Sequence, residues 1–345
     1  MRPLITAIVD TYNHERYIEQ ALVSVLEQGL SRAELEIVVV DDGSTDNTPS
    51  IIQKFVPRVK HVRKKNGGQA SAFNTGYAEA HGQIVAILDG DDWWAEKKLA
   101  TVIDALENNP QAAAIGHGYY EFHEESNNLR LRVPPKQTLV NMATPEATRE
   151  AYLAWSFLLM GALTVRRRVL DWIMPIPEEM RFMADVPLQA AAMFMGTLVL
   201  KEPLCYYRHH SQNLFAIGSK DESDLRRRYE MAGLVFGGAY KRLIELGVPE
   251  ESVSILLSHV LIEAKRFCLS RFGGSRLDTF HTEMQAFRAA FKNPSAAYRV
   301  FKYIVMGAAT LALSPRRFYK VRDWYAAQQL GRLRQRLFKE DVTRR

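Results

Sequence analysis

Cysteine is scarce: the chain has two, Cys205 and Cys268, far apart and outside any Cys-x-x-Cys pair. Neither a disulfide framework nor a thiolate zinc site is indicated, and a reducing compartment fits best. There is no Gly-x-Gly-x-x-Gly fingerprint and no Gly-Lys-Ser/Thr loop, which disfavours dinucleotide and P-loop chemistry. No apolar run approaches the ~20 residues that span a bilayer; Val305 to Leu313 falls far short. The run Leu4 to Val9 is too short for a signal-peptide core and lacks a small-residue cleavage site, so export is not expected. No Pro, Gly or Ser tract marks a disordered linker, and the chain is expected to fold nearly end to end.

What is present begins with length. At 345 residues the chain exceeds one typical domain and can bury a sizeable core. The net charge of +6 is unevenly placed. Residues 314–345 carry ten Lys or Arg against three Asp or Glu, a balance of +7, so everything before them sums to −1. A near-neutral body with a cationic tail is not the even basicity of a nucleic-acid groove, and no nucleic-acid partner is expected.

Up to about residue 120, short apolar runs alternate with amphipathic stretches. Val38, Val39 and Val40 are consecutive, as in a parallel strand buried on both faces. Tyr17, Ile18, Ala21, Leu22, Val25 and Leu26 recur at helical spacing. The expectation is an α/β sheet covered by helices. From Ala112 to about Lys201 the pattern loosens into short strand candidates, with helices near Pro145 and after Asp185. Beyond Asp221 the periodicity is helical, punctuated by Gly247-Val248-Pro249, Gly273-Gly274, Asn293-Pro294 and Ser314-Pro315.

Three polar clusters follow strand candidates: Asp10-Thr11-Tyr12-Asn13, Asp41-Asp42-Gly43-Ser44-Thr45-Asp46 and Asp89-Gly90-Asp91-Asp92. Ligands of open α/β sheets bind outside the carboxyl ends of the strands. Taken singly, each cluster is also what an ordinary turn contains. The third is the most pointed, because two carboxylates ~4 Å apart repel by about 4 kcal/mol at an effective dielectric near 20. Hard oxygen ligands without His or Cys suit Mg²⁺ or Mn²⁺, ions that complete their shells with substrate phosphates. The small residues of Asn66-Gly67-Gly68 let backbone approach a ligand or simply open a helix.

An ordered set of segments resembles the family-2 glycosyltransferases over roughly residues 3 to 215: Thr11-Tyr12-Asn13, Asp41-Asp42-Gly43-Ser44, Asn66-Gly67-Gly68 with Asn74-x-Gly76, Asp89-x-Asp91-Asp92, Ala184-Asp185, and Tyr207-Arg208-x-His210-x-x-Asn213. The resemblance implies a GT-A fold, a Rossmann-like, mainly parallel sheet flanked by helices, with a helical C-terminal region. The corresponding domains are residues 1–215, 216–313 and a basic tail 314–345. It implies donor binding by Thr11, Tyr12, Asn13, Asp42, Gly68, Asn74, Asp89, Asp91, Arg208 and His210, with Tyr12 and Asp42 at the base and Asp89 at the ribose or sugar. Asp91 and His210 would hold Mg²⁺ or Mn²⁺ beneath the diphosphate, although His209 leaves the histidine ambiguous by one position. Asp185 resembles the catalytic base, which predicts single displacement with inversion; read on its own, Asp185 before Val186-Pro187 is a helix N-cap.

The implied reaction moves a sugar from a nucleoside diphosphate donor, a UDP-sugar, to a hydroxyl of a glycan or lipid-linked acceptor in cell-surface assembly. A polyprenyl-phosphate glycosyltransferase is the near alternative; a catalytically silent sugar-nucleotide binding protein is the distant one. The chain departs from the family pattern at Asp10, where proline is common, and at Ala184, where an acid commonly precedes the base.

In the tail, aromatics and leucines interleave with cations from Arg316 to Lys339. Such a helix can lie on an anionic membrane, which would place the protein peripherally on the inner face of the cytoplasmic membrane, or it can pack on the body with its cations in water.

Overall fold

The computed structural model describes residues 4–31, 33–152, 154–181, 183–211, 213, 238–290 and 296–322. The chain divides into two compact units, one of residues 1–219 with 234–256, the other of 220–233 with 257–345.

The first unit is a mixed sheet with helices on its faces. Its strands are β1 (Ile5–Thr11), β2 (Leu35–Asp41), β3 (Lys60–Arg63), β4 (Ile84–Asp89), β5 (Trp93–Trp94), β6 (Ala114–His123), β7 (Asn128–Arg132), β8 (Thr138–Val140), β9 (Thr164–Arg166) and β10 (Thr197–His209). They lie in the order β3-β2-β1-β4-β9-β6-β10-β5, with β7 on β6 and β8 on β10. The first four strands pair in parallel, the sign of crossovers through helices α1 (Ile18–Leu26), α2 (Thr48–Gln53) and α3 (Gln69–Glu79). β9 runs antiparallel between β4 and β6, and β10 runs parallel to β6. Hence β1, β2, β4, β6 and β10 all end at one edge of the sheet.

Val38, Val39 and Val40 are fully buried, as a strand covered on both faces requires. α1 turns Ile18, Ala21, Leu22 and Val25 to the sheet, the 3.6-residue stripe expected of it. The first of the short strand candidates after Ala112 join as one strand, β6, running through Gly116-His117-Gly118. β10 was hidden by Lys201-Glu202-Pro203. Proline cannot donate to a ladder, and the register against β6 shifts on either side of Pro203 before pairing resumes at Tyr206.

α4 (Lys98–Asn108), α5 (Pro145–Tyr152), α6 (Arg167–Ile173) and α7 (Asp185–Met195) complete the helices of the unit before its last described segments, residues 238–245 and the start of α8 (Glu250–Phe272). Lys98 is wholly buried, with its ammonium 4.1 Å from the Trp94 ring centroid and bonded to Thr164 Oγ1. Burial lowers its pKa to about 7.

The second unit is helical: the remainder of α8, α9 (Arg276–Ala290), α10 (Ala296–Ala312) and a further helical stretch at 315–322. Arg266 holds Glu283 with two hydrogen bonds of 2.7 and 2.8 Å. Phe318 and Tyr319 are buried with Leu269, so the beginning of the expected basic tail packs on its own unit. Residues 323–345, the rest of that tail, lie outside the described residues. Among the described residues no helix is long and apolar enough to cross a membrane.

Gly82 links α3 to β4 where a side chain has no room. A Cβ there would stand 2.4 Å from Thr6 N, and the Gly82 N–H donates to Thr6 Oγ1 at 2.8 Å. Gly82→Ala is expected to destabilise the protein by about 1–3 kcal/mol through overpacking against backbone; a urea midpoint unchanged from wild type would refute this.

Candidate active site

The parallel register sets Asp10 of β1 directly opposite Asp89 of β4. Gly90 follows because β1 passes too close for a side chain: a Cβ would meet Thr11 Oγ1 at 2.7 Å and Asp10 O at 3.0 Å. The chain then presents Asp91 and Asp92 in a turn closed by the Asp92 N–H on the Asp89 carbonyl. Four carboxyl groups thus share one corner of the sheet edge, and Asp10 joins a cluster from which sequence reading had left it out. The available signal was register, since both aspartates end apolar runs that pair in parallel.

Each carboxyl has a different surrounding. Asp91 Oδ2 lies 3.1 Å from His210 Nε2, 3.8 Å from His14 Nε2, and accepts from Asn213 Nδ2 at 3.3 Å. Burial works to raise its pKa, but His14 and His210 prevail and hold it below the ordinary carboxylate value. Asp89 has no such company. Burial first, then the charges of Asp10 and Asp91, push it well up. Burial and Asp91 likewise raise Asp10 to about 7, and Asp10 Oδ1 is a buried oxygen with no hydrogen-bond partner. Asp92 turns inward, where its Oδ1 accepts the Arg208 N–H at 2.7 Å, so its part is to pin β10 to the turn.

His210 faces Asp91, whereas His209 stacks on His123 on the other side of the strand end, at 4.3 Å between centroids. Arg208 is buried and braces the corner. Its Nε donates to the Asp91 carbonyl at 2.8 Å and its Nη2 to Gln20 Oε1 at 2.5 Å, while its guanidinium lies over the rings of Trp93 and Tyr17 at 4.5 and 4.8 Å. Trp93 in turn stacks on Tyr206, and Tyr206 on Tyr120. Cation–π contacts of this kind contribute about 0.5–2 kcal/mol each.

The neighbouring strand ends are joined to the corner by short bonds. Asn13, in the left-handed region at φ 57°, accepts from Thr45 N at 2.8 Å and donates its own N–H to Ser44 Oγ. Thr11 is buried with Oγ1 3.2 Å from His14 Nδ1, whereas Tyr12 stands 43% exposed. Asp42 accepts from Lys64 Nζ at 2.7 Å, Gly67 N at 2.9 Å and Gly68 N at 2.7 Å. A nucleobase reaching this carboxylate would share oxygens already engaged by the loop. Asn74 is placed elsewhere: its amide clasps the Ile176 backbone, accepting at 2.8 Å and donating at 2.8 Å, beside a depression of about 420 Å³ lined by Pro175, Ile176 and Glu178 and by none of the acidic cluster. Against the expectation of donor contact, the geometry gives Asn74 a structural bond.

Asp185 is the first residue of α7; Ala184 occupies the cap position, and no side chain caps the helix. The reading as an N-cap therefore does not hold. The Asp185 Oδ2 instead accepts from Gln189 Nε2 at 2.9 Å, one turn on, and that amide also donates to the Leu158 carbonyl. Burial raises the Asp185 carboxyl to about 6, and its charge is felt at Asp89. Met183, just before, is held at φ 58°, unusual for a long side chain, and Gln69 bonds both the Arg181 carbonyl and the Ala184 N–H. The loop gripped by Asp42 is thereby tied to the start of α7.

A hard divalent ion fits this corner: an orphaned carboxylate oxygen on Asp10, two carboxyls whose pKa values burial and then neighbouring carboxylates push upward, and Asp91 with His210 at hand. The same crowding makes a prediction for the protein without metal. Asp10 and Asp89 keep their protons in the native state above the pH at which the unfolded chain releases them, so the native state binds more protons between about pH 4 and 7 and stability falls as pH rises through that window. In EDTA, the thermal midpoint should drop between pH 5 and pH 8, and Asp10→Asn should flatten the drop. A midpoint that climbs over this range in the wild type would contradict the assignment.

Comparison with known proteins agrees with this geometry. The glycosyl transferase family 2 model matches residues 6–173. An uncharacterized glycosyltransferase of Nostoc sp. is 33% identical over 216 residues, 61% of this chain and 66% of its own length. EpsJ of Bacillus subtilis, also an uncharacterized glycosyltransferase, is 29% identical over 282 residues, 75% of this chain and 78% of its own. The chain thus spans just under two thirds of the first relative and more of the second. The crystal structure of S. aureus TarS in complex with UDP shares the fold, with a TM-score of 0.59 at 19% identity, over 93% of this chain and 91% of that one. With its parallel strand ends, acidic corner and matched sequence, the chain belongs to glycosyl transferase family 2.

Proposed function

We propose that the protein transfers a sugar from a nucleoside diphosphate donor, a UDP-hexose or UDP-N-acetylhexosamine, to an acceptor hydroxyl with inversion at the anomeric carbon. The observation that carries this reading is the pairing of Asp91, set against His210, with Asp185, whose carboxyl is raised to about 6 and whose charge reaches Asp89. A carboxyl of that pKa is ionised at neutral pH yet basic enough to take a proton. The nucleotide is supported by analogy: the TarS structures of the same fold are complexes with UDP-GlcNAc or UDP.

In this proposal the exposed Tyr12 ring stacks on the base, and Asp42 orders the loop that borders it and takes the base N–H. Thr11, Asn13 and Gly68 shape the walls, and Asp89 receives the ribose or sugar. Asp91 and His210 would hold Mg²⁺ or Mn²⁺. When bound, such an ion offsets the negative charge that develops on a departing diphosphate. Arg208 keeps the corner rigid. Asp185 accepts the acceptor's proton while Gln189 fixes the carboxylate's direction, and with no protein nucleophile engaged the displacement is single.

The acceptor is proposed to be a glycan or lipid-linked sugar in polysaccharide or glycolipid assembly, on the inner face of the cytoplasmic membrane. The ground is the tail, where residues 323–345 still carry six Lys or Arg against three Asp or Glu. Anionic vesicles should float the full chain and not one ending at residue 322, which keeps the buried Phe318 and Tyr319; equal flotation would remove the membrane role.

Asp185→Asn should lower transfer by about 10²–10⁴-fold while donor affinity holds. In the wild type kcat/KM should rise with pH to a plateau above about 6, as the base loses its proton. Asp91→Asn should abolish the dependence on added Mn²⁺. Transfer by Asp185→Asn at the wild-type rate would sink the base assignment, and activity undiminished by EDTA would sink the metal.

A further inference from the structure

On the other face of the same strand ends lies a second group of ligating side chains. β6 and β10 are parallel neighbours with His123 directly opposite His209 and Glu121 opposite Tyr207. In a pleated sheet residues two apart share a face, so Glu121, His123 and His209 stand together. Tyr120, Phe122, Tyr206 and Arg208 take the opposite face, where the aromatic brace lies. A ligand atom from each of Glu121, His123 and His209 falls within 4.8 Å of the others.

Two features separate this group from an ordinary polar patch. The two imidazoles lie nearly parallel, 5° between planes, and the Nε2 of each is buried with no hydrogen-bond partner. Buried polar nitrogens are ordinarily satisfied, and a pair of orphans side by side is more unusual than either alone. A bridging water can donate to both nitrogens, whereas a single cation accepts both lone pairs and draws in the Glu121 carboxylate as well.

We propose that Glu121, His123 and His209 form a second cation site, for Zn²⁺ or a similar nitrogen-seeking divalent ion, separate from the Asp91 corner. Two imidazoles and one carboxylate form a ligand set known for zinc and for other late transition ions, and one that Mg²⁺ does not seek. Zinc–nitrogen bonds are about 2.0–2.1 Å, which sets neighbouring tetrahedral ligands about 3.3 Å apart. Rotation of the two rings closes the remaining distance. Arg132 bonds Glu121 Oε2 at 2.9 Å through an exposed side chain, and can turn to the carboxylate's outer oxygen or to water as the ion enters. Binding would tie the ends of β6 and β10 together one residue from His210, giving a structural ion that steadies the Asp91 corner from behind.

The test uses the full chain carrying Asp91→Asn, which disables the first site, freed of metal and titrated with Zn²⁺ by calorimetry and with Co²⁺ by visible absorption. Expected are one Zn²⁺ per chain, Co²⁺ bands of a nitrogen-ligated site, and a higher thermal midpoint with Zn²⁺. Adding His123→Gln, or separately His209→Gln, should weaken Zn²⁺ at least 10-fold and remove the bands, with circular dichroism unchanged. Should His209→Gln fail to fold, His123→Gln decides alone. The proposal is overturned if Asp91→Asn binds no Zn²⁺, or if a folded His123→Gln variant binds it with undiminished affinity.

Discussion

Two parallel strands that end in register on aspartate set the central constraint of this molecule. Asp10 and Asp89 are brought side by side by the β1–β4 ladder, and Asp91 follows two residues on. At ~4 Å and an effective dielectric near 20, each like-charge pair costs about 4 kcal/mol, comparable to a large share of a domain's net stability. The surroundings answer residue by residue. Asp91 has two histidines and an asparagine and stays below the ordinary carboxylate value, whereas burial and the neighbouring charges push Asp10, Asp89 and, despite its backbone N–H, Asp92 upward. A corner built this way responds both to pH and to a cation, because either removes the same repulsion.

The rigidity around it follows from that constraint. Arg208 does not reach out of the corner; its guanidinium is held between Trp93 and Tyr17 while its Nε binds the Asp91 carbonyl. Strand β10, strand β5 and the turn after β4 are thereby fastened at one point. A similar chain of bonds runs from Asp42 through Gly67 and Gly68 to Gln69, then to Arg181 and Ala184, and so to Asp185. The end of β2 and the start of α7 are distant in sequence yet fixed to one another by one backbone bond, Gln69 N to the Arg181 carbonyl, and by backbone N–H groups held on the Asp42 carboxylate and the Gln69 amide.

Much of this was legible in the sequence wherever a single segment sufficed. Val38 to Val40 announced a doubly covered strand, and Asp89-Gly90-Asp91-Asp92 announced a crowded turn. Resemblance, and no local pattern, singled out Asp185 and His210. What escaped depended on two segments meeting. Asp10 looked like a departure from a pattern until the register put it beside Asp89. His14 and Gln189 carried no motif, and their importance appears only through what they touch. Asn74 shows the converse, since a residue in a matching motif turned out to clasp the Ile176 backbone. The long strand β10 was obscured because Pro203 interrupts a local pattern that the sheet accommodates with a register shift. The tail divided in the same way: its aromatics suited either an interfacial or a packed helix, and Phe318 and Tyr319 are buried in a helical core.

The end of β10 gathers these threads, because three consecutive residues there have three different directions. Arg208 turns to the aromatic brace, His209 to His123 on the opposite face, and His210, just past the last pleat, to Asp91. Alternation accounts for the first two, and the third follows from the chain leaving the sheet, where Asn213 accepts the His210 N–H and donates to the Arg208 carbonyl. A slip of one residue would exchange the faces of Arg208 and His209 and bury an unmatched guanidinium against His123. The Asp92 carboxylate, bonded to the Arg208 N–H, holds that register at the point where the slip would begin. The least chemically prominent member of the acidic cluster is thus the one that keeps His210 facing Asp91.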